Sequence, residues 1–125
     1  MQATVKTTLE FRGFGLHSGA PATLRIRPYP ADLGLWFKRT DVTDLDPLIP
    51  ARWDAVVDTR LCTVLANRDG AAVSTVEHVM AALAAFGVDN ALIEVDGPEI
   101  PILDGSSLPY ARALARAGLA EQDGE

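Results

Sequence analysis

The chain has 125 residues, of which 48% are hydrophobic and 22% are charged, a composition typical of one folded globular domain. Its formal net charge of −6 and its scattered basic residues disfavour nucleic-acid binding, which depends on clustered lysine and arginine. The single cysteine, Cys62, excludes an internal disulfide, and no apolar run approaches the ~20 residues that cross a bilayer. We therefore expect residues 1–125 to form one cytoplasmic domain without a signal peptide or a transmembrane segment.

Alternating apolar and polar residues predict strands in the first half of the chain. Residues 4–11 predict one half-buried strand, and residues 22–27 predict a second strand after a glycine-rich turn over 13–19. We expect a further strand over 33–39 and a loop over 40–50, where aspartate and proline interrupt the pattern.

A hairpin and a helix are predicted next. Residues 56–65 and 71–73 flank Asp69-Gly70, a pair typical of a type I′ turn between two strands. Apolar residues then recur at helical spacing, which predicts a helix over 75–86 with Gly87 just after its end.

The last third of the chain predicts one more strand and one more helix. Residues 90–95 are an apolar strand, residues 96–106 form a loop, and a helix runs over about 108–117. The polar tail over 121–125 is expected to fray. Strands followed by two helices on one face of a mainly antiparallel sheet indicate an α+β fold.

The segment Ser74-Thr75-Val76-Glu77-His78 at the predicted helix entry has two interpretations. Its spacing is that of a capping box, in which Ser74 and Glu77 satisfy free amides of the first turn, and this is the more common use of the pattern. The same residues also suit chemistry, because the positive end of the helix dipole disfavours a charged imidazole at His78 and leaves the ring free to bind a metal. Glu77 beside it could act as the general base toward a metal-activated water.

Three other features also have two interpretations each. His17 lies in the glycine-rich turn, where backbone can approach a ligand closely, although glycine suits any tight turn. Cys62 lies within a strand pattern and is most simply a small buried hydrophobe, although contacts made in the fold could supply the partner of a thiolate nucleophile. Residues 104–107 suit either an anion site at a helix start or an Asx turn that leads into the helix.

The residues do not complete a metal site by themselves. A catalytic zinc usually has three protein ligands and one open position. The chain has two histidines and one cysteine, with no H-x-x-H or C-x-x-C pair. A site of His17, His78 and one carboxylate would have no spacing signature behind it.

Five motifs follow one another in a fixed order over about residues 4–115. They are Gly13-x-Gly15-Leu16-His17-Ser18-Gly19, Leu61-Cys62-Thr63, Ser74-Thr75-Val76-Glu77-His78-x-x-Ala81-Ala82-Leu83, Gly87-x-Asp89-Asn90 and Glu99-Ile100-Pro101-x-x-Asp104-Gly105-Ser106. With this combination the chain resembles the UDP-3-O-acyl-N-acetylglucosamine deacetylase family.

The resemblance implies a zinc-dependent amide hydrolase of lipid A biosynthesis in Gram-negative bacteria, which removes acetate from UDP-3-O-acyl-N-acetylglucosamine. The family fold has two similar α+β domains with the active site between them, and this chain resembles the first domain only. By motif, His78 corresponds to a zinc ligand and Glu77 to the general base. His17 corresponds to a histidine that borders the site, and Leu61, Cys62 and Thr63 correspond to a segment that lines the substrate cleft.

The resemblance also implies that part of the site lies elsewhere. The family's other two zinc ligands, in a His-Lys-x-x-x-Asp motif, and its second catalytic histidine belong to the second domain, and this chain has no His-Lys pair. The chain stops where a domain boundary is expected, so we expect an N-terminal domain that is inactive or nearly so alone. Two alternatives are a non-catalytic domain that binds itself or a partner through its exposed inter-domain face, and a homodimeric metalloenzyme.

Overall fold

Short strands and two helices make up the fold in a computed structural model, which describes residues 1–124. In chain order the elements are β1 (Gln2–Val5), β2 (Leu9–Phe14), β3 (Pro21–Pro28), β4 (Leu35–Arg39), β5 (Leu48–Pro50), a 3-10 turn (Trp53–Ala55), β6 (Val56–Asp58), β7 (Val64–Ala66), β8 (Ala72–Ser74), α1 (Glu77–Ala85), β9 (Ala91–Val95), α2 (Leu108–Ala117) and β10 (Leu119–Gln122). The largest sheet has the strand order β2-β3-β9-β4-β5, and two smaller sheets are formed by β6-β7-β8 and β1-β10.

The five-stranded sheet has one buried face and one charged face. Its strands pair antiparallel except for β4 and β9, which run parallel. In β3, Leu24 and Ile26 are fully buried, as their period-two spacing predicts. Arg25 and Arg27 alternate with them on the other face and pair with carboxylates of the neighbouring strands. The strand predicted over 22–27 is therefore confirmed.

Both helices bury one face in the same hydrophobic cluster as the main sheet. Val79 and Leu83 of α1 and Leu114 of α2 are fully buried there. The ring of Tyr110 in α2 meets the Phe11 ring of β2 edge-on, with the ring centroids 4.8 Å apart. This arrangement confirms the α+β class. Within residues 1–124, no helix is long and apolar enough to cross a membrane.

Two predictions for the first fifty residues are wrong in extent. The strand predicted over 4–11 is two strands, β1 and β2, because the exposed polar residues 6–8 between them belong to neither strand. The loop predicted over 40–50 ends in β5, whose Ile49 is fully buried and pairs with Phe37 of β4. Three residues are too few to show a period, so this strand had no local signal.

The hairpin between β7 and β8 is confirmed, but the strand before it and its turn differ from prediction. The strand predicted over 56–65 is interrupted by a loop over 59–63, so Cys62 lies outside the strands. The turn is not type I′, because Gly70 has a φ of 90° while Asp69 keeps a negative φ. Instead the Asn67 side chain accepts hydrogen bonds inside a longer loop.

Residues 121 and 122 of the predicted tail are paired, contrary to the predicted fraying. Strand β10 runs antiparallel to β1, with Gln122 opposite Gln2. The buried Asn90 side chain donates to the side-chain oxygens of both glutamines, at 2.7 Å for Gln2 and 2.8 Å for Gln122. Glu125, the last residue of the predicted tail, lies outside the described residues.

Candidate functional site

One pocket of about 680 Å³ collects three of the residues predicted to border a cleft, namely His17, Leu61 and Cys62. The other residues that line it are Ser18, Asp58, Arg60, Val64, Ser74, Pro98 and Glu99. Thr63 and Glu77 line a second pocket of about 240 Å³. The structure therefore brings the glycine turn and the loop over 59–63 together around one cleft.

Cys62 is half-buried at the wall of this cleft rather than in the core. Its predicted place as a small buried hydrophobe inside a strand is wrong, because the strand ends at Asp58 and resumes only at Val64. Leu61 beside it exposes 83% of its surface. Two apolar side chains thus face open space at the cleft.

The segment over 98–102 positions a carboxylate beneath the glycine turn. Its backbone bonds to both the N–H and the C=O of Ser74 on one side and pairs with Gly15 on the other. Glu99 lies between these two contacts and is only 3% exposed. A Cβ at Gly15 would overlap the Glu99 carboxylate, so glycine is required there for the turn to close over it.

The Glu99 carboxylate accepts hydrogen bonds from three residues. Oε1 accepts from the backbone amides of His17 at 3.1 Å and Ser18 at 2.9 Å. Oε2 accepts from the Thr75 hydroxyl at 2.6 Å and lies 3.0 Å from Nδ1 of the His17 ring. Burial opposes ionisation of the carboxyl, but these donors outweigh it and lower the pKa of Glu99 to about 2.

Acid should therefore remove a stabilising contribution that Glu99 makes at neutral pH. Because the pKa of Glu99 in the folded protein is about 2 and its ordinary value is 4.5, the contribution is complete above about pH 4.5 and is lost as the pH falls toward 2. The shift corresponds to roughly 3 kcal/mol of unfolding free energy. Urea unfolding between pH 7 and pH 3 should show a smaller loss for Glu99→Gln than for the unchanged chain.

The neighbouring groups and a control variant make the pH experiment specific to Glu99. Within residues 1–124, His17 is the only titratable side chain bonded to Glu99, and the Asp58–Arg60 pair at the same cleft is bonded internally at 3.1 Å. Glu121→Gln, an exposed change, should follow the unchanged chain. Equal acid-induced losses in the unchanged chain and in Glu99→Gln would contradict the contribution assigned to Glu99.

Thr75 connects Glu99 to the start of the first helix. It has a φ of 63°, which a β-branched residue rarely adopts, and it is 2% exposed. Its hydroxyl donates to Glu99, and its backbone N–H donates to the Thr63 carbonyl at 2.9 Å. These two bonds hold the strained residue immediately before Val76 and Glu77.

The predicted capping box does not form. Ser74 belongs to β8, α1 begins at Glu77 rather than at residue 75, and no side chain caps its first turn. Glu77 Oε1 instead lies 3.4 Å from the Thr63 backbone N–H, which is a long hydrogen bond. The Glu77 side chain therefore turns toward the loop over 59–63.

His78 occupies the next position of α1 and is half-buried. Within residues 1–124 the His78 ring has no hydrogen bond or ion pair. Because every buried side-chain nitrogen among these residues has a hydrogen-bond partner, the unpartnered ring nitrogens of His78 must reach solvent. Such a ring can supply one metal ligand. The described residues bring no group of three histidine, cysteine or carboxylate side chains together. A metal ion bound by His78 would therefore need its other ligands from outside the described residues.

Glu99 is the site residue whose contacts were not predicted from the sequence. Glu99 begins the last of the five motifs, but its partners His17 and Thr75 are 82 and 24 residues away along the chain. The one sequence signal for a buried carboxylate here is that the acidic Glu99 directly precedes the apolar Ile100. Asp104, by contrast, accepts from the Ser106 amide at 2.9 Å in an Asx turn, one of the two interpretations left open for that segment.

The fold and site define an α+β domain in which the glycine turn and the loop over 59–63 meet at one cleft, with Glu77 and His78 at the start of α1. The chain belongs to the UDP-3-O-acyl-N-acetylglucosamine deacetylase (LpxC) family, whose model matches residues 2–125.

Three relatives show how much of such a protein the chain covers. The UDP-3-O-acyl-N-acetylglucosamine deacetylase of Phenylobacterium zucineum is 53% identical over 121 residues, which are 97% of this chain and 41% of that protein. The proteins of the same name from Idiomarina loihiensis and Actinobacillus pleuropneumoniae serotype 3 are 53% and 48% identical, over 39% and 40% of their lengths. The chain thus spans about two fifths of the curated relatives that it matches.

Proposed function

We propose that this chain is the N-terminal domain of a cytoplasmic, zinc-dependent deacetylase that hydrolyses the acetamide of UDP-3-O-acyl-N-acetylglucosamine in lipid A biosynthesis. The relatives carry that substrate in their names, and the chain matches them over two fifths of their length. A second domain supplies the remaining zinc ligands and completes the cleft. The domain from residue 1 to 125 alone is inactive or nearly so.

The observation that supports the proposal most is that Glu77 and His78 are adjacent at the start of α1. The His78 ring has no partner among the described residues and reaches solvent. Ala81 and Ala85 lie one and two turns further along the same helix face and are exposed. Small exposed side chains on this face let a second domain approach the ring closely.

The proposed chemistry divides among residues of this chain. His78 would hold a zinc ion with one ring nitrogen, and the ion would supply Lewis-acid chemistry for the acetamide carbonyl and the attacking water. Glu77, one residue before the ligand, accepts the proton of that water. His17 and the segment Leu61, Cys62 and Thr63 border the cleft and orient the substrate, with no chemistry assigned to the thiol.

A chimaera tests the proposal directly. This chain replaces the matching 121 residues of the Phenylobacterium zucineum relative, with which it is 53% identical. The chimaera should bind one zinc and release acetate from UDP-3-O-acyl-N-acetylglucosamine, whereas the 125-residue chain alone should do neither. A folded chimaera that binds zinc without releasing acetate would contradict the proposed function.

A self-associating domain is the second candidate, and exposed apolar side chains favour it. Trp53 exposes 88% of its surface, Val57 65% and Leu61 83%. In the first proposal the second domain covers this surface. Sedimentation distinguishes the two, because a self-associating domain stays dimeric in the chimaera, whereas a surface covered by the second domain yields a monomeric chimaera.

A further inference from the structure

The His17 ring is held by a single partner within residues 1–124. Nδ1 lies 3.0 Å from Glu99 Oε2, while the side chain keeps 39% of its surface exposed at the cleft. The two ring nitrogens of histidine point away from each other. Nε2 therefore points away from Glu99, on the side of the ring that is not bonded to the protein.

The protonation of Glu99 decides what the ring can do. An ionised carboxylate only accepts hydrogen bonds, so the proton in the His17–Glu99 contact must sit on Nδ1 of the ring. The donors around Glu99 keep it ionised, since they lower its pKa to about 2. In the neutral ring Nε2 then carries a lone pair and no proton.

We propose that Glu99 is a positioning residue that fixes neutral His17 as the Nδ1–H tautomer, so that Nε2 offers a hydrogen-bond acceptor to the cleft. Such an acceptor selects a donor on the ligand, a hydroxyl or an amide N–H, and does not bind a deprotonated phosphate oxygen. This inference rests on the proposed function only for the identity of the ligand. The tautomer follows from the contacts of Glu99.

Glu99 has a structural role as well, and the two roles are separable. Its bond from the Thr75 hydroxyl holds a residue with a φ of 63° before α1. Thr75→Val removes that hydroxyl and keeps the β-branched shape, so it weakens the structural contact without changing the partner of His17. Glu99→Gln reverses the polarity at Oε2, because the amide group can donate to Nδ1.

The first test reads the tautomer of His17 in the 125-residue chain. Long-range ¹H–¹⁵N spectra of histidine-labelled protein separate protonated from unprotonated ring nitrogens, and the chain has only two histidines to assign. The spectra are recorded at a pH where the shifts no longer change and the rings are neutral. The unchanged chain should show His17 protonated at Nδ1. A ring protonated at Nε2 would overturn the proposal, whether or not any variant folds.

Three variants then separate positioning from structure. Glu99→Gln should convert His17 to the Nε2–H tautomer, whereas Thr75→Val should leave the tautomer unchanged. Glu94→Gln is the matched control, because Glu94 is a carboxylate of the preceding strand β9 that pairs with Arg27 and not with His17. A folded Glu99→Gln chain that keeps the Nδ1–H tautomer would overturn the role of Glu99.

The second test measures the consequence for the ligand in the chimaera. Replacing an acceptor by a donor leaves the ligand's hydrogen unpaired, so Glu99→Gln should raise KM about tenfold and change kcat less. Thr75→Val should not give this split between KM and kcat. An unchanged KM in Glu99→Gln would contradict the role of Nε2. Failure of the proposed function has another signature, in which Glu77 and His78 variants have no effect while the tautomer is as predicted.

Discussion

Glu77→Ala in the chimaera should lower kcat by about 10³-fold, the range in which a positioned general base contributes to a hydrolysis. The expected cause is loss of the group that accepts the proton of the attacking water. Zinc content should stay at one per molecule, because Glu77 is not assigned as a ligand. Steady-state acetate release and metal analysis of the same preparation measure both quantities.

The fold should tolerate this change. Glu77 is half-buried, and within residues 1–124 its side chain accepts one hydrogen bond, the long 3.4 Å bond from the Thr63 amide. Glu121→Ala, an exposed glutamate of β10, is the matched control and should leave kcat and zinc content unchanged. Turnover of Glu77→Ala within a few-fold of the unchanged chimaera would contradict its role as the base.

His78→Ala should remove the zinc itself, and activity with it. A catalytic zinc is usually held by three protein ligands, so losing the only ligand from this chain leaves too few to retain the ion. Metal analysis after dialysis should therefore show a small fraction of a zinc per chimaera. Unfolding experiments should show little change, because the ring has no hydrogen bond within residues 1–124.

The other histidine of the chain, His17, is the matched control for that experiment. His17 is bonded to Glu99 and lies at the cleft, where the account gives it a role in ligand binding. His17→Ala should keep its zinc while it raises KM. Zinc loss in His17→Ala equal to that in His78→Ala would show that the ligand has been assigned to the wrong histidine.

Elements with local signals were predictable, and elements defined by distant partners were not. The helix over 108–117 was predicted at its observed bounds, because Pro109 and Gly118 mark its ends in the sequence. Strand β10 has no such signal, since it exists through pairing with β1 at the other end of the chain. The same holds for β5, which is three residues long and defined by β4.

The candidate site divides in the same way. His17, Glu77 and His78 were found because each belongs to a short motif, although their roles remain predictions. The capping box was wrong because Ser74 is taken into β8 by pairing with β7, a contact that its spacing from Glu77 does not encode. The contacts of Glu99 depend on the glycine turn folding back over it, which a one-dimensional pattern cannot show.

Direct observation of a bond between the metal and the imidazole of His78 is the sharpest test of the account. Substituting ¹¹³Cd for zinc in ¹⁵N-labelled chimaera allows a scalar coupling to be seen between the ion and each nitrogen that binds it. The account predicts a coupling to a His78 ring nitrogen that disappears in His78→Gln, and none to His17. A metal-loaded, active chimaera without any coupling to His78 would contradict it.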